Sequence, residues 1–483
     1  MSQSIKATQW FDNQKFNRFH ALLLLITASA LIFDGYDSQV IAYIMPKVLG
    51  EWKLSPVVAG SLASYGFMGL MIGAAGFGMI SDRIGRKKSL MLSIGIFSLF
   101  SGLTFFAPNF KVFVALRFMA GLGMGGAMPI AITLVSEFAP AKIRAKAVTG
   151  MFGGFTLGWA VAGLLAMLII PSFGWRPLLL IGLVPVLLIP VIGLYLPESV
   201  RFLSHKGRYR EAIANMRKIE RMAGATPHNW QEQDFMDNAP AAGTAGKAGK
   251  GSQAVGVVSK RGGLRVLFGP GLRWMTVLVW LTYFFNLLVI YGLSSWLPSL
   301  LVKSGFSLVK SYSYGMLQSL GATAGGFLLG WVMDKFGRKA GLSLFYFLGG
   351  LALWVFAFAS SNLVLLLAGT ATGVFIIGTQ IAQHVITGEI YPTQVRSSGV
   401  GWALTIGRLG SIIGPLLGGM IQMGNFSFGQ YFLIFSIPAF LCAVLVLLYK
   451  INVKGEGLEM INEKLALAGD APAVSQTAVE TSR

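Results

Sequence analysis

Twelve apolar stretches of about 20 residues dominate the chain, and about 20 residues is the length of helix that crosses the hydrocarbon core of a bilayer. Leu54 to Ser81, Ser89 to Phe110, Ala147 to Trp175, Pro177 to Pro197, Trp274 to Val302 and Ser311 to Met333 contain no Asp, Glu, Lys or Arg. Two longer charge-free regions, Ala340 to Gly388 and Leu409 to Tyr449, break at Ser360, Ser361 and Asn362 and at Gly424 and Asn425. With Ser397 to Arg408 they supply four helices. Phe19 to Met45 and Val112 to Ser136 complete the set, interrupted by Asp34, Asp37 and Arg117. The expectation is an all-α integral membrane protein with six spans on either side of a polar segment, Glu198 to Arg273. Only 12% of the 483 residues are charged, about half the share in a soluble domain. The first apolar run is too long for a cleavable signal peptide and holds two aspartates. A single cysteine, Cys442, excludes an intrachain disulfide and a cysteine-based zinc cluster.

The net charge of +20 would point to nucleic acid in a soluble protein, but its distribution assigns it to topology. With a cytoplasmic N-terminus, 31 of the 39 Lys and Arg fall in cytoplasmic segments, six outside, and Arg117 and Arg408 within spans. That bias matches the positive-inside rule and excludes nucleic acid as a partner. Both termini are then cytoplasmic, and the partners are a lipid bilayer and a small solute. The middle segment divides into a short surface helix over Tyr209 to Ala223 and a flexible Gly-, Ala- and Lys-rich stretch over Ala239 to Ser252.

A repeat relates the two halves. Gly78, Asp82, Gly85, Arg86 and Lys87 recur as Gly330, Asp334, Gly337, Arg338 and Lys339. Glu137, Pro140 and Arg144 recur as Glu389, Pro392 and Arg396, and Pro46 as Pro298, all at a shift of 252. Two parallel six-helix bundles with a binding site between them follow from such a repeat. The expected organisation is a cytoplasmic N-terminus (1–18), an N-terminal bundle (19–197), a cytoplasmic linker (198–273), a C-terminal bundle (274–450) and a cytoplasmic tail (451–483). The buried charges break the register, since Asp34 maps to Asn286, Asp37 to Val289, Arg117 to Gly369 and Arg408 to Thr156. Charges absent from the shared scaffold are candidates for cargo and coupling.

The glycine-rich loops after the second and eighth helices, the stretch from Arg117 to Gly121 and the Pro197, Glu198, Ser199 triplet resemble the major facilitator superfamily. Asp34, Gly35, Tyr36 and Asp37, supported by the helix of Arg408, resemble the aromatic acid:proton symporter family within it. The fifth helix has Gly158 and Trp159 where many relatives place Gly-Pro. The resemblance implies a major facilitator fold in the bacterial inner membrane and a proton-coupled carrier of benzoate, 4-hydroxybenzoate, protocatechuate or a related acid. It also links the two aspartates to transport.

Asp34 and Asp37 share a helix face near mid-membrane, where a carboxylate costs roughly 2.5 to 3.5 kcal/mol. Two carboxylates so close cannot easily both ionise, so the pair suits proton coupling, with hydrogen bonding to a neighbouring helix as the plainer role. A guanidinium holds a carboxylate through two parallel hydrogen bonds, which makes Arg408, then Arg117, candidates for an anionic cargo. Arg117 has the alternative of neutralising Asp34 or Asp37. Tyr36, Tyr283, Asn286, Gln380 and His384 are further candidates for cargo contact, with Gln383, Tyr291 and Trp296 nearby in the pattern. Gly78, Asp82, Arg83, Gly85, Arg86, Glu137 and Arg144, with Asp334, Lys335, Gly337, Arg338, Glu389 and Arg396, are expected to latch and release the halves as conformational-switch residues.

The glycines at 121, 123, 125 and 126 follow no strand, so they read as helix packing rather than a nucleotide loop. No metal or catalytic constellation is present in the sequence, so the expectation is a carrier, not an enzyme, driven by the proton motive force without a cofactor and acting as a monomer. Alternatives are a carrier of another organic anion such as muconate, an exporter, or a transporter-like sensor.

Overall fold

The computed structural model describes residues 6–236, 267–269, 272–391, 395–424 and 426–449. The Ala239 to Ser252 stretch, the tail from residue 451 and Pro392 lie outside them. Among the described residues twelve helices are long and apolar enough to span a membrane: α1 (Arg18–Glu51), α2 (Pro56–Ile84), α3 (Arg86–Phe106), α4 (Phe110–Phe138), α5 (Arg144–Phe173), α6 (Arg176–Tyr195), α7 (Arg273–Lys303), α8 (Leu308–Phe336), α9 (Arg338–Phe358), α10 (Asn362–Ile390), α11 (Arg396–Met423) and α12 (Phe428–Leu447). The first residues of α2 to α6 and of α8 to α12 differ by 252 at every step. The sequence repeat is therefore a repeat of helix starts.

Small residues set the packing, because without a hydrophobic drive between helices in lipid, close backbone approach supplies the attraction. An added Cβ on Gly69, Gly73, Gly121 or Gly125 would lie 2.1–2.3 Å from a carbonyl oxygen across the α2–α4 contact. Gly321, Gly325 and Gly373, each 252 residues on, make the equivalent approach between α8 and α10, with an added Cβ 1.9–2.6 Å from a carbonyl oxygen. Gly158 against Ile32 in α1 has its counterpart in Gly410 against Phe284 in α7. One departure from the repeat is a single π-helical turn, Gly373–Ile377, inside α10.

We call the face carrying residues 6–17 and the 200–236 helices the basic face. Helix 7–13 and helices 200–205, 209–223 and 233–236 form a platform there. Trp10 stands edge-on to Trp230, whose Nε1 donates to the buried Glu220, and Phe11 packs on Phe138 of α4.

Towards the opposite face the two halves are closed on each other. Ser64 of α2 donates to the Ile412 carbonyl of α11 at 2.7 Å, and Gln39 of α1 to the Ser294 carbonyl of α7 at 3.4 Å. A Cβ on Gly60 would lie 2.4 Å from the Pro415 oxygen. The Tyr43 and Tyr312 rings meet edge to face at 5.6 Å, and Thr156 of α5 bonds Thr323 of α8 at 2.7 Å near mid-span. Towards the basic face the stripe of α11 that carries Ile412 continues through Arg408 to the exposed Thr405 and to Gly401, where an added Cβ would meet nothing within 4 Å. Gly153 of α5 is equally open. The cleft between the halves thus opens on the basic face.

Candidate functional site

The two aspartates of α1 meet different partners. Three residues along a helix amount to about 300°, an offset of about 60°, which turns Asp37 into the N-terminal bundle and Asp34 towards the other half. Arg117 Nη1 of α4 lies 2.9 Å from both Asp37 carboxylate oxygens, and its Nη2 donates to the Asp37 backbone carbonyl at 2.9 Å. Ser101 of α3 also donates to the carboxylate. Both members are essentially without solvent contact, at 3% and 0% side-chain exposure. Arg117 is thereby committed to Asp37, the alternative to cargo contact.

Asp34 is buried, lacks an ion pair within 4 Å among the described residues, and its Oδ1 has no hydrogen bond. The guanidinium of Arg408, half-buried on the cleft stripe of α11, acts on it electrostatically, as it does on Tyr291 and His384. Arg408 therefore lies among side chains of α1, α7 and α10. Rings from both halves meet the side chains on which it acts: Tyr291 of α7 packs against Phe67 of α2 at 4.3 Å and Trp159 of α5 at 5.8 Å, and Phe152 of α5 against the His384 imidazole at 6.0 Å.

On the C-terminal side the polar candidates form one network. Tyr283 hydroxyl pairs with His384 Nδ1 at 2.8 Å, and Gln380 Nε2 with His384 Nε2 at 3.3 Å. Asn286 donates to Gln380 and Gln383, both at 2.9 Å, and Tyr346 of α9 donates to Gln383 at 3.0 Å. Tyr36 is not part of it, for its hydroxyl donates to the Leu178 carbonyl in α6 at 2.8 Å. Trp296 likewise donates to the Pro415 carbonyl at 2.8 Å and serves the closed end. Residues that the sequence did not single out for the site are Ser101, Phe67, Phe152 and Tyr346. Each belongs to an abundant type in an apolar helix, and only the packing marks it.

The expected switch residues cluster at helix ends on the basic face, where the charges join elements within each half. Arg86 pairs with Asp82 at 3.1 Å and lies 3.8 Å from Glu137, which accepts from Ser199. Glu198 receives the backbone N–H groups of Arg86 and Lys87 at 2.8 and 3.1 Å, capping α3. Gly85 has φ +101°, and a Cβ there would lie 2.2 Å from Glu198 Oε2. In the second half Gly337 has φ +94° and Arg338 pairs with Glu389. Arg144 pairs with Asp12 of the 7–13 helix at 2.5 Å, and Arg396 donates to the Tyr391 carbonyl at 3.3 Å. Gly78 lies in the last turns of α2, and Arg83, Asp334 and Lys335 are exposed.

These features accord with the comparisons. A family profile described as "Sugar (and other) transporter" matches residues 23–465. The niacin transporter NiaP of Acinetobacter baylyi is 32% identical over 452 residues, covering 93% of this chain and 98% of the relative. The gallate transporter of Pseudomonas putida is 34% identical over 447 residues, covering 92% and 94%. The inward-open structure of the xylose transporter XylE from E. coli, 19% identical, superposes with a TM-score of 0.70 over 92% of this chain and 99% of that one. The fold is that of the major facilitator superfamily, and the chain, a multi-pass membrane transporter rather than an enzyme, belongs to the sugar (and other) transporter family.

Proposed function

We propose that this chain imports an aromatic carboxylate together with protons, by alternating access across a bacterial inner membrane. The observation that carries the reading is Asp34: a buried, unpaired carboxylate set opposite Arg408 where aromatic side chains of both halves converge. Gallate and niacin, carried by the two relatives, are both planar ring acids that pair an anionic carboxylate with a π-face. Arg408 suits the carboxylate, and Phe152, Trp159 and Tyr291 suit the ring. Gln380 and His384 offer polar contact at its far edge.

Charge dictates the rest. Entry of an anion into a negative interior costs about 2.3 kcal/mol per 100 mV. One proton cancels that charge, and a second lets the potential pull the cargo inward. Asp34, lacking a fixed partner, is the group that exchanges the proton, while Asp37 is taken up by its pair with Arg117. A proton on Asp34 frees Arg408 for the cargo carboxylate, and after the halves rock both leave through the cleft on the basic face. The Lys and Arg bias supports a cytoplasmic assignment for that face and for the termini. The carrier works as a monomer, since one chain supplies both halves of the site.

The test is uptake into proteoliposomes under an imposed pH gradient, with benzoate, hydroxybenzoates, gallate and niacin in competition. Asp34→Asn is expected to abolish accumulation while retaining counterflow. Full gradient-driven accumulation by Asp34→Asn refutes the coupling. Acid-driven efflux would mark an exporter, and binding without counterflow a sensor.

A further inference from the structure

Two lysines from separate parts of the chain converge on the end of α6 at the basic face. Lys87, in the first turn of α3, donates its Nζ to the Gly193 carbonyl at 2.7 Å. Lys218, in the 209–223 surface helix, donates to the adjacent Leu194 carbonyl at 2.6 Å. Their ammonium groups lie close enough to repel each other, and Lys88 adds to that repulsion. A helix C-terminus supplies only about half a negative charge. Glu198, the carboxylate that acts on Lys87, is already engaged by the backbone N–H groups of Arg86, Lys87 and Ser199. Roughly one positive charge is left over at this corner, before Lys88 and the exposed Arg217 and Arg221 are counted.

What surrounds it favours one kind of anion. α6 turns most of its surface outward, with Leu187, Leu194 and Tyr195 68%, 69% and 51% exposed, so an acyl chain has an apolar wall directly beside the ammonium groups. The inward face of the surface helix, through Ala212, Met216 and Ile219, is buried in the platform, which holds Lys218 at the level of the α6 end. A basic pocket at the membrane surface flanked by a lipid-facing helix is the chemistry that binds an acidic headgroup. We propose that Lys87 and Lys218 bind the phosphate of one anionic phospholipid, whose chains lie along α6, and that this lipid ties the 200–236 platform to the membrane.

The test uses the full chain in nanodiscs of zwitterionic lipid with and without phosphatidylglycerol, with native mass spectrometry counting retained lipid and thermal melting as the second readout. Expected are retention of phosphatidylglycerol over phosphatidylcholine and a higher melting temperature with the anionic lipid. Lys218→Gln is expected to weaken retention about fivefold, the equivalent of ~1 kcal/mol per basic side chain at a membrane surface, and Lys218→Arg to restore it. Lys218→Gln should melt like the unsubstituted chain in phosphatidylcholine alone, which separates lost binding from lost folding. Equal retention of both lipids overturns the proposal. So does an equal loss in Lys142→Gln, an exposed lysine of the α4–α5 connection, or protection by inorganic phosphate as strong as that by the lipid.

Discussion

Removing the Asp37 charge tests whether the two aspartates of α1 have separate roles. In Asp37→Asn the Arg117 guanidinium, 3% exposed, keeps its bond to the residue-37 carbonyl but loses the only carboxylate that neutralises it among the described residues within 4 Å. Breaking a buried pair by removing one partner costs about 3–5 kcal/mol, or roughly two to three and a half orders of magnitude in the folded-to-unfolded ratio. Asp34→Asn removes no ion pair within 4 Å and no hydrogen bond at Oδ1, so its cost should stay within about 1 kcal/mol, the range of an uncoupled substitution. Thermal melting in nanodiscs, combined with the double-mutant cycle Asp37→Asn and Arg117→Gln, reads both. The double variant should recover much of the stability lost in Asp37→Asn, and Asp34→Asn should fail in proton-driven accumulation while melting normally. If Asp37→Asn melts like the unsubstituted chain and Arg117→Gln does not couple to it, the structural assignment of the pair is wrong.

Two further outcomes follow from the glycine turn and the seam between halves. Gly85→Ala forces a side chain into φ +101° with its Cβ 2.2 Å from Glu198 Oε2, so it should cost more than the ~1–2 kcal/mol of left-handed strain alone and slow transport. A melting curve identical to the parent's would refute that. Thr156→Val with Thr323→Val removes the 2.7 Å bond between α5 and α8, about 0.5–1.5 kcal/mol, and should shift the population towards the outward-facing state two- to twelvefold. Spin labels at Ser55→Cys and Phe426→Cys, exposed on the face opposite the platform, would report longer distances, whereas unchanged distances would show that this bond does not hold the closure.

The spans and their starts were legible because bilayer thickness sets a length and the repeat sets a register, and both are linear properties of the chain. Partner choice was not. The spacing of Asp34 and Asp37 places them on one face, yet the 60° between them decides that one meets Arg117 and Ser101 while the other looks across the cleft to Arg408. That outcome depends on the rotation of α1 about its own axis, which its close approaches to α5 at Gly35–Phe155 and Gly158–Ile32 restrict. The switch charges were legible as helix-end positions. Their pairings within each half reflect the conformation, in which the halves meet towards the opposite face and part towards the platform.

The repeat explains why the charges sit where they do. The positions equivalent to Asp37, Arg117 and Ser101 in the second half are Val289, Gly369 and Leu353, all within apolar packing. One bundle therefore carries a fixed ion pair at a place where its twin packs without one, so the helix arrangement that the two halves share does not depend on an ion pair there. Asp34 and Arg408 map onto Asn286 and Thr156, both neutral. Pseudo-symmetry brings the Asp34–Arg408 corner and the Asn286–Thr156 corner to matching positions about the cleft, and only the first is charged. On the proposed function, an anionic cargo entering a site with one cationic corner would have one preferred orientation, carboxylate towards Arg408 and ring towards the Asn286, Gln380 and His384 network. The same asymmetry sets Asp34, the proton acceptor of the proposed function, beside that corner, where its charge would act on Arg408 most strongly, since Coulomb energy falls with distance.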